Sequence, residues 1–174
     1  YGYLLLKGEE VPKNETEAFR YFKMSADHGC ITAFYVCGAF LCNGIGVPVD
    51  IDTGIQYLKI AADNNIPKAM FLYALILIKQ LANKIVRPID VQVGMENECI
   101  KYIKMAADNG VVEGMTLYGN ILEEKSFLPY NLREAAYYFK MAADKGSDKE
   151  IMTYVKFLLS GKLGVINKLE IAEY

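Results

Sequence analysis

The amino-acid sequence predicts an all-α fold, a right-handed α-solenoid of stacked antiparallel helix pairs. Three observations carry this. A twelve-residue pattern occurs four times, as AFRYFKMSADHG (18–29), GIQYLKIAADNN (54–65), CIKYIKMAADNG (99–110) and AAYYFKMAADKG (135–146). Each copy places apolar residues at three- and four-residue spacing, as in Phe19, Phe22 and Ala26 or Ile100, Ile103 and Ala107, the period of a helix with one buried face. A second helical segment lies between successive copies at a constant offset: ITAFYVCGAFL (31–41), KAMFLYALILI (68–78), EGMTLYGNILE (113–123) and KEIMTYVKFLL (149–159). One hairpin of two helices cannot bury its apolar face alone, whereas stacked copies can.

Within a unit the chain runs first helix, loop, second helix. Gly38 and Gly119 share one position of the first helix, Gly2 falls there too, and Ala74 and Val155 fill it elsewhere. A small residue at that place predicts a tight helix crossing. The loop ends on a proline and, two residues later, an Asn or Asp, after an apolar residue in three of the four copies, as VPKN (11–14), VPVD (47–50), RPID (87–90) and LPYN (128–131). Proline cannot sit inside a helix, and Asn or Asp caps the next one. Asn14 with Glu17, Asn131 with Glu134 and Asn167 with Glu170 read as capping boxes, with Asp50 as the equivalent cap and Asp90 closing the corresponding stretch. The paired small residues Ser25-Ala26, Ala61-Ala62, Ala106-Ala107 and Ala142-Ala143 allow a neighbouring helix to approach. Gly29, Gly110 and Gly146, with Asn65 in the second copy, are expected as the left-handed residues that end the second helix.

The stretch CNGIGVPVD (42–50) has the look of a phosphate-cradling glycine loop. Such a loop follows a strand; this one follows a helix, so Gly44 and Gly46 are expected only to turn the chain. The four copies start 36, 45 and 36 residues apart, so the second interval, which contains the third unit, holds nine extra residues. About four enter before Pro88 and about five between Gly94 and Cys99, which predicts a longer connection around 81–87 and a second helix lengthened by a turn or more. The chain is expected to be a single solenoid domain over 1–174, with repeats at 1–29 (partial), 30–65, 66–110, 111–146 and 147–174 (partial). It opens inside a first helix and stops as a second helix begins, and is read as a piece of a longer protein.

Composition narrows the function. A formal net charge of −2 with evenly spread basic residues disfavours nucleic acid and anionic membranes as partners. The most apolar run, 69–78, is ten residues, too short to span a bilayer. Four cysteines form no CxxC pair and only one histidine is present, so no zinc or other metal site is expected. Cys30 and Cys37 would stand about 10 Å apart along a helix, too far to bridge. All four are read as small buried apolar residues, which favours a reducing, cytoplasmic setting, with a secretory or endoplasmic-reticulum lumen as the alternative. His28, beside Gly29, is expected to lie exposed or to cap the helix end. The pairs Lys23/Asp27, Lys59/Asp63, Lys104/Asp108 and Lys140/Asp144 repeat with the unit and are expected to form a solvated helix face. No GxSxG, HExxH, Walker or kinase signature occurs. No catalytic residue, cofactor or small-molecule substrate is expected.

The unit resembles A-x-x-x-L-G-x-x-Y-x-x-G-x-G-V-x-x-D-x-x-K-A-x-x-Y-x-x-K-A-A-x-x-G, the pattern of the Sel-one-like repeat family, a relative of the tetratricopeptide repeats. The second unit carries Gly38, Gly44, Gly46, Val47, Asp50, Tyr57, Lys59, Ala61 and Ala62 in that frame. The fourth carries Gly119, Ala135, Tyr138, Lys140, Ala142, Ala143 and Gly146. The resemblance implies a scaffold or adaptor that holds protein complexes together. By analogy with tetratricopeptide geometry, the first helices would line a concave face. Its middle would be apolar, at Tyr35, Phe71, Leu75 and Ile78. Beyond would lie an acidic stripe at Glu113 and Glu123 with Asn120 between, and a basic one at Lys149 and Lys156. Such a groove suits a protein or peptide partner with apolar anchors and mixed charge. The alternative is an architectural arm, or a regulatory region of a larger protein or assembly, for example one fused to a kinase.

Overall fold

The computed structural model describes residues 1–83, 88–124 and 131–163. Among these the only regular elements are helices: α1 (Gly2–Lys7), α2 (Glu15–Asp27), α3 (Ile31–Asn43), α4 (Ile51–Asp63), α5 (Pro67–Ala82), α6 (Ile89–Asp108), α7 (Val112–Glu123), α8 (Leu132–Lys145) and α9 (Asp148–Leu159). Odd-numbered helices are the first helices of the units and even-numbered ones the second, in the predicted order. The chain forms two compact units, Tyr1–Gln80 and Leu81–Tyr174.

In the first unit Leu5, Phe22, Val36, Cys37 and Phe40 are buried together with Ala18, Ala26 and Ala33. The Phe22 ring meets Tyr3 at 4.9 Å and Phe40 at 5.9 Å, both edge-on. The predicted close crossing is present. A Cβ on Gly38 would lie 2.8 Å from Leu58 Cγ and 2.9 Å from the Gly54 carbonyl oxygen, and one on Gly54 would lie 3.1 Å from the Gly38 oxygen. The α3 and α4 backbones therefore meet through two glycines. In the second unit a Cβ on Gly119 would stand 2.8 Å from the Phe139 ring, and Phe139 in turn packs on Phe157 at 5.0 Å.

The caps hold in outline and differ in detail. Asn14 accepts from the Glu17 amide at 3.0 Å, Asp50 from the Thr53 amide at 3.0 Å and Asn131 from the Glu134 amide at 3.2 Å. The expected return bond to the cap backbone is replaced at both glutamates. Glu17 takes Arg20 at 2.6 Å instead, and Glu134 takes the Asn131 side-chain amide at 2.9 Å. A glutamate does reach back at Ser147, whose backbone amide donates to Glu150 at 3.1 Å. Asp90 is no cap: Pro88 holds the cap position, α6 begins at Ile89, two residues earlier than a cap at Asp90 would place it, and Asp90 lies in its first turn. Asn167 and Glu170 lie outside the described residues.

The insertion has gone largely into helix. α6 has 20 residues against 13 in α2 and α4, as the longer second helix requires, and α5 continues to Ala82 through part of the expected connection; 84–87 lie outside the described residues. Gly29, Gly110 and Asn65 take the left-handed conformation, with φ of 83°, 88° and 62°. Gly146 does not, at φ −94°. It is small for a different reason: a Cβ there would lie 2.6 Å from both the Ala142 oxygen and the Glu150 Cβ. Gly44 and Gly46, at φ 69° and 68°, turn the chain between α3 and α4.

The cysteines are all free, and only two are buried. Burial pushes the Cys37 thiol up to about 11 and that of Cys99 to about 12. Cys42 is half-buried. Cys30 is exposed, contrary to expectation, because it precedes α3 as the N-cap and lies outside the helix's packed face.

Candidate partner-binding surface

The residues expected on the first-helix faces are all incompletely buried. In the first unit Tyr35 on α3 and Phe71, Leu75 and Ile78 on α5 are half-buried. The α5 residues are four and three apart, which keeps them in one stripe. The adjoining stripe of Met70, Tyr73, Ala74 and Leu77 is sealed in the core. Tyr35 rests partly on the core of its unit, and this burial raises its phenol above the ordinary range. The outward side of α4 is mixed, with Asp52, Gln56 and Asp63 exposed beside Ile51 and Ile60.

In the second unit Glu113 is exposed and Asn120 half-buried on α7, and Lys149 and Lys156 are exposed on α9. Glu123 departs from the expected open acidic stripe. Its side chain is 20% exposed and its carboxylate accepts from Lys162 Nζ at 2.5 Å. Glu123 and Lys156 come to one shallow cleft of about 190 Å³, shared with Phe139, Thr153 and Phe157. Glu113 borders a second, of about 420 Å³, with Val112, Lys145, Gly146, Ser147 and Glu150. Of the expected acidic and basic residues, Glu123 and Lys156 are thus brought to one cleft, and Glu113 borders another.

The second helices carry a device that the sequence reading missed. Lys104 Nζ binds Asp108 at 3.0 Å and also donates to the Tyr138 hydroxyl at 2.8 Å. Tyr138 donates in turn to Asp108 at 2.6 Å. Lys23 pairs with Asp27 and stands 5.9 Å from the centre of the Tyr57 ring. These lysines are not merely part of a solvated face. They tie α2 to the tyrosine of α4 and α6 to the tyrosine of α8. The signal was present: 34 residues separate Lys104 from Tyr138, and the same interval separates Lys23 from Tyr57.

His28 is exposed, with Nδ1 2.7 Å from the Met24 carbonyl oxygen at the end of α2, as its capping position predicts. Among the described residues no group of three or more His, Cys, Asp or Glu could hold a metal ion, and no helix is long and apolar enough to cross a membrane.

Comparison with known proteins bears on this surface. The Sel1 repeat model matches residues 1–30, 33–66, 96–111 and 112–147. The interval between the second and third matches contains α5 and the extra turns of α6, and α9 lies beyond the last match. A stretch of 41 residues is 44% identical to a chitin synthase regulator, SKT5, of the fungus Malassezia restricta; this is 24% of the chain and 3% of that protein. The fold is similar to c5321, a protective antigen of uropathogenic Escherichia coli strains displaying an SLR fold, with a TM-score of 0.71 and 17% identity over 94% of the chain and 37% of that protein. A Sel1 repeat protein from Oxalobacter formigenes gives a TM-score of 0.52 and 20% identity over 99% of the chain and 82% of its own. The chain therefore spans a small fraction of its curated relative and little more than a third of the first structural one. At such identities the structural likeness shows the fold alone.

Proposed function

Because the chain belongs to the Sel1 repeat family, whose repeats generally mediate protein–protein interaction, we propose that it is a non-enzymatic adaptor holding a protein or peptide partner on its first-helix faces. The observation that carries this is the α5 stripe of Phe71, Leu75 and Ile78, three large apolar side chains left half-buried in line on one helix face; the second helices also expose apolar side chains, Ile60 and Tyr137 among them, so the test sets the two faces against each other. Apolar side chains aligned along one helix face are the usual anchors for a partner. Replacing Phe71 and Leu75 by serine tests the assignment. Partners recovered by the wild-type chain and identified by mass spectrometry should be lost, with helicity by circular dichroism unchanged. Partners retained by that variant but released by Ile60→Glu or Tyr137→Glu would place binding on the second helices and refute it.

The match to part of a chitin synthase regulator favours one second reading, a regulatory arm of a larger protein. In that case the same substitutions would leave every partner bound.

A further inference from the structure

The second unit carries a more specific surface. On α9, Lys149, Met152, Lys156 and Leu159 follow one another at intervals of three, four and three residues, which places them in one stripe. All four are exposed, Met152 by 50% and Leu159 by 58%. The other side of the helix is sealed by Tyr154, Phe157 and Leu158. Its acid Glu150 is buried and engaged by Ser147, while the exposed Asp148, four residues before Met152, borders the stripe at the helix start. The outward face of α9 therefore alternates base and apolar side chain. Lys23, Lys104 and Lys162 each pair with a carboxylate of the chain. Lys149 and Lys156 have no ion-pair partner among the described residues. Lys156 also borders the cleft of about 190 Å³ that contains Phe139 and Phe157, and the acid on that cleft, Glu123, is already neutralised by Lys162.

Resting on the adaptor reading above, we propose that this face of α9 docks an acidic peptide. The peptide supplies two carboxylates to Lys149 and Lys156 and an apolar side chain against Met152, Leu159 and the cleft. The two lysines are two helical turns apart, about 10 Å along the axis. That matches carboxylates seven residues apart on a helix, or three apart on a polyproline-II segment, which rises about 3.1 Å per residue and returns to the same face every third residue. Charge complementarity of this kind selects the partner and fixes its register.

The test is selection of a random sixteen-residue peptide library on the intact chain, followed by anisotropy titration of the enriched peptides. Acidic peptides with an apolar anchor should be enriched. Lys149→Glu/Lys156→Glu, whose changes are at exposed sites, should weaken them roughly tenfold or more, and exchanging their Glu for Lys should restore binding. Enrichment without acidic bias, acidic peptides indifferent to the double variant, or no enrichment would each overturn the proposal. Wild-type self-association abolished by the double variant would do so too, by assigning the face to a second copy. Peptides lost on Phe71→Ser/Leu75→Ser but not on the α9 variant would sink this inference and leave the adaptor reading standing. Failure of every peptide and every protein partner to respond to either variant would sink both.

Discussion

Gly29 and Gly46 share a left-handed backbone, at φ 83° and 68°, in different surroundings. A Cβ at Gly29 would meet nothing within 4 Å, while one at Gly46 would lie 2.4 to 2.6 Å from the backbone of Glu15 and Thr16. Alanine at either site incurs the left-handed penalty of about 1–2 kcal/mol. Only Gly46→Ala must also displace the first turn of α2, a clash expected to add about 2 kcal/mol or more. Denaturant titration should therefore show a clearly larger loss for Gly46→Ala, and equal losses would disprove the close approach. Sequence reading finds the turn here but not the clash, because the neighbour is a residue of the preceding unit. Cys30 and Gly146 show the same limit. A cysteine's apolar character says nothing about whether it falls on a packed face or at a cap. A glycine after a helix serves backbone freedom or close packing, and only the path of the next helix decides which.

Between elements, the bond from Tyr138 on α8 to α6 is the clearest case of a link that titrates. Burial first, and then its bond to Asp108, push the Tyr138 hydroxyl up to about 12. An unfolded tyrosine titrates near pH 10. The folded chain thus keeps a proton that the unfolded chain releases. This stabilisation is complete below about pH 10 and is lost as pH rises toward 12. Lys104, whose ammonium is stabilised chiefly by its bond to Tyr138, shifts in the same direction. Tyr138→Phe should cost about 1 kcal/mol near neutral pH. It should also flatten the alkaline fall in stability, followed by urea titration from pH 8 to 12, by about 1–2 kcal/mol. An alkaline profile identical to wild type would show that the hydroxyl carries no such linkage. The helices themselves were readable from the sequence because apolar period, caps and small-residue positions all repeat. Their joints were less so. The start of α6 was misplaced because RPID was aligned with VPVD, whereas the added residues let α6 begin directly after Pro88.

For the chain as a whole, the repeat interval gives the order of the helices, and the nine extra residues lie near the boundary of the two compact units after Gln80. The residues proposed for the candidate surface fall on the expected helices and are incompletely buried. The open charge expected of Glu123 was not legible, because its carboxylate is neutralised by a lysine 39 residues away. In repeat architectures stability is close to a sum over each unit and its immediate neighbours, and cooperative opening follows the same blocks. Gly46→Ala strikes α2 and the loop before α4, in a core that also holds Leu5, Val36, Cys37 and Phe40. Tyr118, Tyr138, Phe139 and Phe157 pack among themselves in the second unit. Hydrogen exchange read by mass spectrometry should therefore show Gly46→Ala lowering protection in peptides from α2, α3 and α4. Peptides from α7 and α8 should keep wild-type rates. A uniform fall across all of them would mean that the chain opens as one cooperative block, and that a partner seated on α9 would stabilise Phe71 and Leu75 as strongly as its own helix.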